Sequence, residues 1–150
     1  MILGKGWEFN LKKMPIDYKK YHKDWKTVIR PAILNRANNC CEQCKAPNYS
    51  LIFRGIYKGI DIYQDASANI FNATSGEYIK SDYYADITPS TGNENQQAIK
   101  VVLTISHTDH DVNNNDYSNL KALCQRCHLR HDVEHHKRSR KNKLGMKELF

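Results

Sequence analysis

The chain has no run approaching the roughly 18 consecutive apolar residues that a membrane-spanning helix needs. Its opening residues, Met1 to Trp7, contain no apolar stretch like the middle of a secretory signal. Both absences lead to the expectation of a cytoplasmic protein with no membrane contact. No segment repeats and no long low-complexity tract interrupts the 150 residues, which argues against repeat architectures. Hydrophobic residues make up 40% of the chain. That is enough for one modest core, and a structural metal would help hold a core of that size.

Positive charge is present and unevenly placed. The chain has 23 Lys and Arg against 16 Asp and Glu, net +7. Residues 1–30 hold 8 basic and 3 acidic side chains, and residues 120–150 hold 9 and 3. Residues 45–119 reverse the balance, with 5 basic and 9 acidic. Both ends suit a polyanion such as DNA, gripped mainly through its phosphates. A charged surface that only aids solubility is the plainer alternative.

Residues 1–23 are basic and aromatic, with Trp7, Phe9, Tyr18 and Tyr21, and are expected to form an arm. Residues 24–39 read as helical, with Asp24 capping a first turn that holds Trp25, Val28 and Ile29, and Pro31 opening a new helical segment with Ala32, Ile33, Leu34 and Ala37 on its apolar side. Residues 45–99 read as a β-rich insertion, with strands at Leu51–Phe53 and Ile60–Tyr63 and a loop over 86–98. Lys100 to Ile105 is a further β-rich run. An Asn- and Asp-rich loop follows at 109–118, then a helix to about Lys137, then a basic tail over 137–150.

Five cysteines in a reducing compartment point to metal ligation more than to disulfides. Four form matched pairs, Cys41-Glu42-Gln43-Cys44 and Cys124-Gln125-Arg126-Cys127. A two-residue spacing lets one tight turn aim both thiolates at one ion, and two such turns complete a tetrahedral sulfur site that favours zinc. All four positions are filled by protein, so the zinc is expected to be structural. Cys40 could replace Cys41, at a poorer spacing. A redox dithiol would need a thioredoxin-like βαβ setting, which is absent.

The segment from Leu103 to Asp132 places His107 at the end of a β-rich run, then a loop, then Asn119-Leu120, then Cys124-x-x-Cys127-His128 leading into a helix. This order resembles the HNH endonuclease family. The spacings of twelve residues from His107 to Asn119 and nine from Asn119 to His128 match that family. The likeness covers roughly residues 100–135 with Cys41 and Cys44, and the lead-in Arg30-Pro31-Ala32-Ile33-Leu34 and Arg36-Ala37 is similar to that of phage-type members. It implies an α+β fold, a ββα-metal (His-Me finger) module with a structural four-cysteine zinc knuckle, in a single domain spanning 1–150 with its core at 100–135. It also implies a metal-dependent DNA endonuclease, in a phage or mobile-element setting.

Phosphodiester hydrolysis needs an activated water, a cation on the phosphate and help for the leaving oxygen. Histidine titrates near neutrality, so His107 suits the general base. Asn119 would hold that imidazole or its loop. His128 and Asp132 are i and i+4 on one helix face and can clamp a divalent cation such as Mg, Mn or Ni. Many family members carry Asp or His just before the base, where this chain has Ser106. Asp109 or His110 would then complete the cation site. A rival frame makes Asp109-His110 the ligand-base pair, and a rival ligand face uses His131 and His135. Two other functions remain open: a zinc-stabilised nucleic-acid-binding module with weak or no catalysis, and a structural zinc protein acting through protein contacts.

Overall fold

The computed structural model describes residues 18–148. Most of the basic N-terminal arm, including Trp7 and Phe9, lies outside them. Trp25, Ile29 and Ile33 recur every four positions, which puts them on one helix face, and all three are buried. Trp25–Ile29 forms a π-helical turn, with Ile29 N–H bonded to Asp24 O at 3.0 Å. It runs into helix α1, Arg30–Arg36, with Pro31 in the first turn, where a missing N–H is tolerated. Asn38 and Asn39 end it in the left-handed region, at φ 53° and 56°. Asp24 makes no side-chain cap bond. Val28 is 52% exposed, because the buried stripe runs along Trp25, Ile29 and Ile33 beside it.

Strands β1, Leu51–Tyr57, and β2, Ile60–Asp65, form a hairpin. Its turn residues Lys58 and Gly59 both have positive φ, as a two-residue turn matching the strand twist requires. Four more strands join: β3 (Asn69–Asn72), β4 (Tyr78–Ser81), β5 (Thr88–Pro89) and β6 (Ile99–Lys100). The antiparallel order is β4-β3-β2-β1-β5, with β6 also on β1. Residues 86–98, expected as a loop, thus supply a short strand opposite Gly55 and Ile56. Glycine is needed at position 55, since a Cβ there would stand 2.7 Å from the Thr88 carbonyl oxygen.

The run from Lys100 to Ile105 divides between two sheets. Lys100 closes β6, and Thr104 opens β7, Thr104–His107, which pairs antiparallel with β8, Leu120–Leu123. Helix α2, Gln125–Glu148, follows β8 after a single residue, Cys124. Residues 137–148, expected as a tail, continue this helix. The fold is therefore α+β, with antiparallel sheets and few helices.

One main buried cluster joins Trp25, Ile29, Ile33, Ile52, Leu103 and Leu120 to the four paired cysteines. A small satellite of Tyr57, Ile62 and Ile70 sits within the insertion. No helix among the described residues is long and apolar enough to cross a membrane.

Arg36 ties these parts together. Its guanidinium donates to both oxygens of Glu42, at 3.1 and 2.9 Å, and to the carbonyls of Tyr117 and Leu120, at 2.7 and 2.5 Å. Glu42 in turn accepts from the Ala122 N–H at 2.8 Å. The planar fork suits this many acceptors and an ammonium does not. Arg36→Ala is expected to lower stability by about 1–2 kcal/mol, since the side chain is 39% exposed and water replaces part of what its charged hydrogen bonds contribute, with no rescue by Arg36→Lys. Urea unfolding checks this, and an unchanged midpoint would show the latch to be dispensable.

Candidate functional site

Cys41, Cys44, Cys124 and Cys127 are all buried, none is in a disulfide, and their sulfurs lie within 4.8 Å of one another. The Sγ atoms of Cys44 and Cys124 are 3.6 Å apart. A tetrahedral zinc with Zn–S of about 2.3 Å separates its sulfurs by about 3.8 Å, so this group can hold a structural metal such as zinc. Backbone N–H groups already point at the sulfurs: Cys44 N–H at Cys41 and Cys127 N–H at Cys124, each at 3.5 Å. Lys45, at φ 65°, turns the chain after the first pair, and helix α2 begins within the second. Cys40 is half-buried, bridges Pro47 and lies outside the group.

Crowded thiols share protons. Hydrogen bonds from Cys127 first, then Cys41 and Cys44, push the Cys124 thiol far down, and the bond with Cys124 pushes Cys127 up. Arg54, from β1 of the insertion, brings Nη2 to 3.6 Å from Cys124 Sγ, while its buried Nη1 has no partner. A positive group thus faces sulfurs that carry surplus negative charge when they bind a divalent ion. Nothing in the sequence pointed to Arg54.

Beyond the cysteines, β7 delivers Ser106 and His107, both buried. The His107 ring stacks on Trp25, with centroids 5.1 Å apart and planes 15° from parallel, and Tyr21 lies 6.0 Å away. His107 Nε2 is 3.1 Å from Asn115 Oδ1. That oxygen only accepts, so Nε2 carries the proton and Nδ1 keeps the lone pair. The asparagine on the imidazole is therefore Asn115, from the Asn- and Asp-rich loop, and not Asn119.

Asn119 acts on the loop instead. Its Oδ1 accepts from Thr108 Oγ1 at 2.6 Å and Asp109 N–H at 3.2 Å. Its Nδ2 donates to Asp109 Oδ1 and Asn114 O, both at 2.9 Å. Asp109 also accepts from Asn114 Nδ2 and Asp111 N–H. These bonds, that from Asn114 first, hold its carboxyl down at about 2. Expected as a cation ligand, Asp109 has both oxygens engaged by the loop and does not join the residues around Asp132. Asn119→Ala is expected to cost about 2–3 kcal/mol, from four bonds of about 1 kcal/mol each with partial replacement by water. Chemical denaturation measures the loss, and the histidine signals of the loop should shift with it.

Helix α2 supplies the opposite wall. His128 Nδ1 is 2.5 Å from Thr104 Oγ1, which donates to the Leu123 carbonyl. His128 Nε2 is 3.1 Å from Asp132 Oδ2. A nitrogen lone pair this close to a carboxylate needs a proton or a cation between them. A cation about 2.0–2.2 Å from each atom spans such a gap. The other oxygen, Oδ1, is 3.4 Å from His110 Nδ1. Burial first, then the neighbouring His135, holds His110 below the usual imidazole range. Ser106, His107, His110, His128, Asp132 and His135 line one cleft of about 210 Å³. The structure thus brings His107, His128 and Asp132 together, and leaves Asn119 and Asp109 in the loop beneath.

No protein-family model, curated protein or solved structure matches the chain.

Proposed function

We propose that the chain is a metal-dependent DNA endonuclease of HNH type, built on a ββα-metal module and stabilised by a zinc at the four cysteines. The observation that carries this reading is the shared cleft. His107, at the end of β7, and His128 with Asp132, one turn apart on α2, line the same opening. The phosphodiester would lie between strand and helix. When bound by His128 and Asp132, a divalent cation (Mg, Mn or Ni) supplies positive charge to the scissile phosphate and its leaving oxygen. His107 takes the proton of the attacking water at Nδ1. Asn115 fixes the tautomer of that imidazole, and Asn119 with Asp109 holds the loop that carries Asn115. Thr104 fixes His128 through Nδ1, as outer partners of metal-binding histidines do. Exposed basic residues on α2, including Arg138, Arg140 and Lys141, suit flanking phosphates.

Nicking of supercoiled plasmid by the wild type in Mg, Mn, Ni and EDTA tests the reading. Cleavage that needs metal and disappears in folded His128→Ala is the expected result. No cleavage in any metal by a folded, zinc-loaded protein would sink it.

One observation favours a second reading, a zinc-stabilised nucleic-acid-binding module without efficient catalysis. Ser106 is buried at the position where the family carries an acidic or histidine ligand, and a hydroxyl is a weak one. Salt-sensitive DNA binding without cleavage is the outcome that belongs to this reading.

A further inference from the structure

Helix α2 carries four of the chain's seven histidines, and a fifth, His110, comes from the loop above it. Hydrolysis as proposed uses only His128 of these five. Three of the others, His110, His131 and His135, gather beside Asp132. His110 adopts a left-handed backbone, φ 61°, which a residue with a Cβ occupies at some cost. That conformation lays its ring along His135, at 4.1 Å and 17°, and near His131, at 5.0 Å and 24°. Its Nδ1 faces Asp132 Oδ1 at 3.4 Å. One donor atom from each of His110, His131 and Asp132 lies within 4.8 Å of the other two. His131 Nε2 is buried and has no hydrogen-bond partner. An orphaned buried polar atom is costly unless something occupies its lone pair or proton.

We propose that His110, His131 and Asp132 form a binding site for a divalent first-row transition-metal ion. Two imidazoles and one carboxylate oxygen are a donor set for manganese through zinc, whereas magnesium and calcium prefer all-oxygen sites. His135 stacks on the His110 ring and limits its rotation. The site is distinct from the His128 position, which faces the other oxygen of Asp132, so the two share only that carboxylate. It has three protein ligands where the His128–Asp132 pair has two, and so it fills first. The proposal holds whether or not the chain cleaves DNA.

The test is a calorimetric titration of Co(II) into the full chain with its cysteine site already loaded with zinc. His110→Ala and His131→Ala are each expected to weaken the first equivalent by at least about tenfold, the lower end of the cost of losing even an outer partner of a metal ligand. His128→Ala is expected to retain that first equivalent. Mg is expected not to compete. A second measurement on the wild type removes dependence on variant folding: Co(II) should first broaden the imidazole NMR signals of His110 and His131. Wild-type affinity in both His110→Ala and His131→Ala, or broadening confined to His128, would overturn the site. Absent nicking with this Co(II) pattern intact would count against the hydrolytic reading alone. Intact nicking with the pattern missing would count against this site alone.

Discussion

Under the proposed hydrolysis, His107→Ala is expected to lower the metal-dependent nicking rate by about 10²–10⁴-fold, the usual share of a positioned general base. The imidazole also packs on Trp25 and bonds Asn115, so its removal opens a gap and costs stability as well as chemistry. Two controls separate these effects. His107→Gln keeps a polar side chain near Asn115 but has no basic nitrogen, so it should lose as much rate with a smaller loss of stability. Imidazole added to the buffer should restore part of the rate of His107→Ala by occupying the gap beside Trp25, and should do nothing for His128→Ala, whose defect is in holding the cation. A near-normal rate in His107→Gln would remove His107 from the chemistry. Asn115→Ala is informative beside them, because it leaves the imidazole in place and removes only the acceptor that selects its tautomer.

The cysteine group was legible in the sequence because its constraint is local: two residues between thiols fix a turn whatever the rest of the chain does. The helical stretch within 24–39 was legible through Pro31 and the apolar residues on either side of it, and the structure divides it into a π turn and an α-helix. The pairing of Asn115 with His107 was not legible. In a run of three asparagines, which one turns inward depends on how Asn119 and Asp109 fold the loop, and that is set across ten residues. The division of Lys100–Ile105 was hidden for a similar reason. Both pieces favour extended backbone, and only the position of their partners, β1 for one and β8 for the other, separates them. Arg36 and Glu42 lie close in sequence, but Arg36 spans 84 residues to reach Leu120, and no periodicity encodes that reach. The convergence of His110 and His131 on Asp132 depends on a single left-handed residue. His110 stood in the sequence as one of two residues that could complete the cation site, and His131 as part of a rival ligand face, but nothing in their spacing joined the two to each other.

Stripping the metal from the cysteine group is expected to abolish cooperative unfolding, and restoring zinc is expected to bring it back. A structural zinc contributes apparent binding energy of about 10–16 kcal/mol in small metal-folded units, while a whole domain has about 5–15 kcal/mol of net stability. Here the first pair follows α1 and leads toward β1, and the second joins β8 to α2, so an ion held by the four cysteines would tie both sheets and both helices to one point. Without an ion, four buried sulfurs stay within 4.8 Å of one another, faced by backbone N–H groups and by Arg54. Cys124→Ser should reproduce the chelator's effect. Cys40→Ser, outside the group, should change stability by no more than about 0.5 kcal/mol. Thermal melts with and without chelator, read beside counts of reactive thiols, check the contrast. If chelation exposes four thiols yet leaves the melt unchanged, the ion does not hold the fold, and the buried core around Ile33, Ile52 and Leu103 must do so alone.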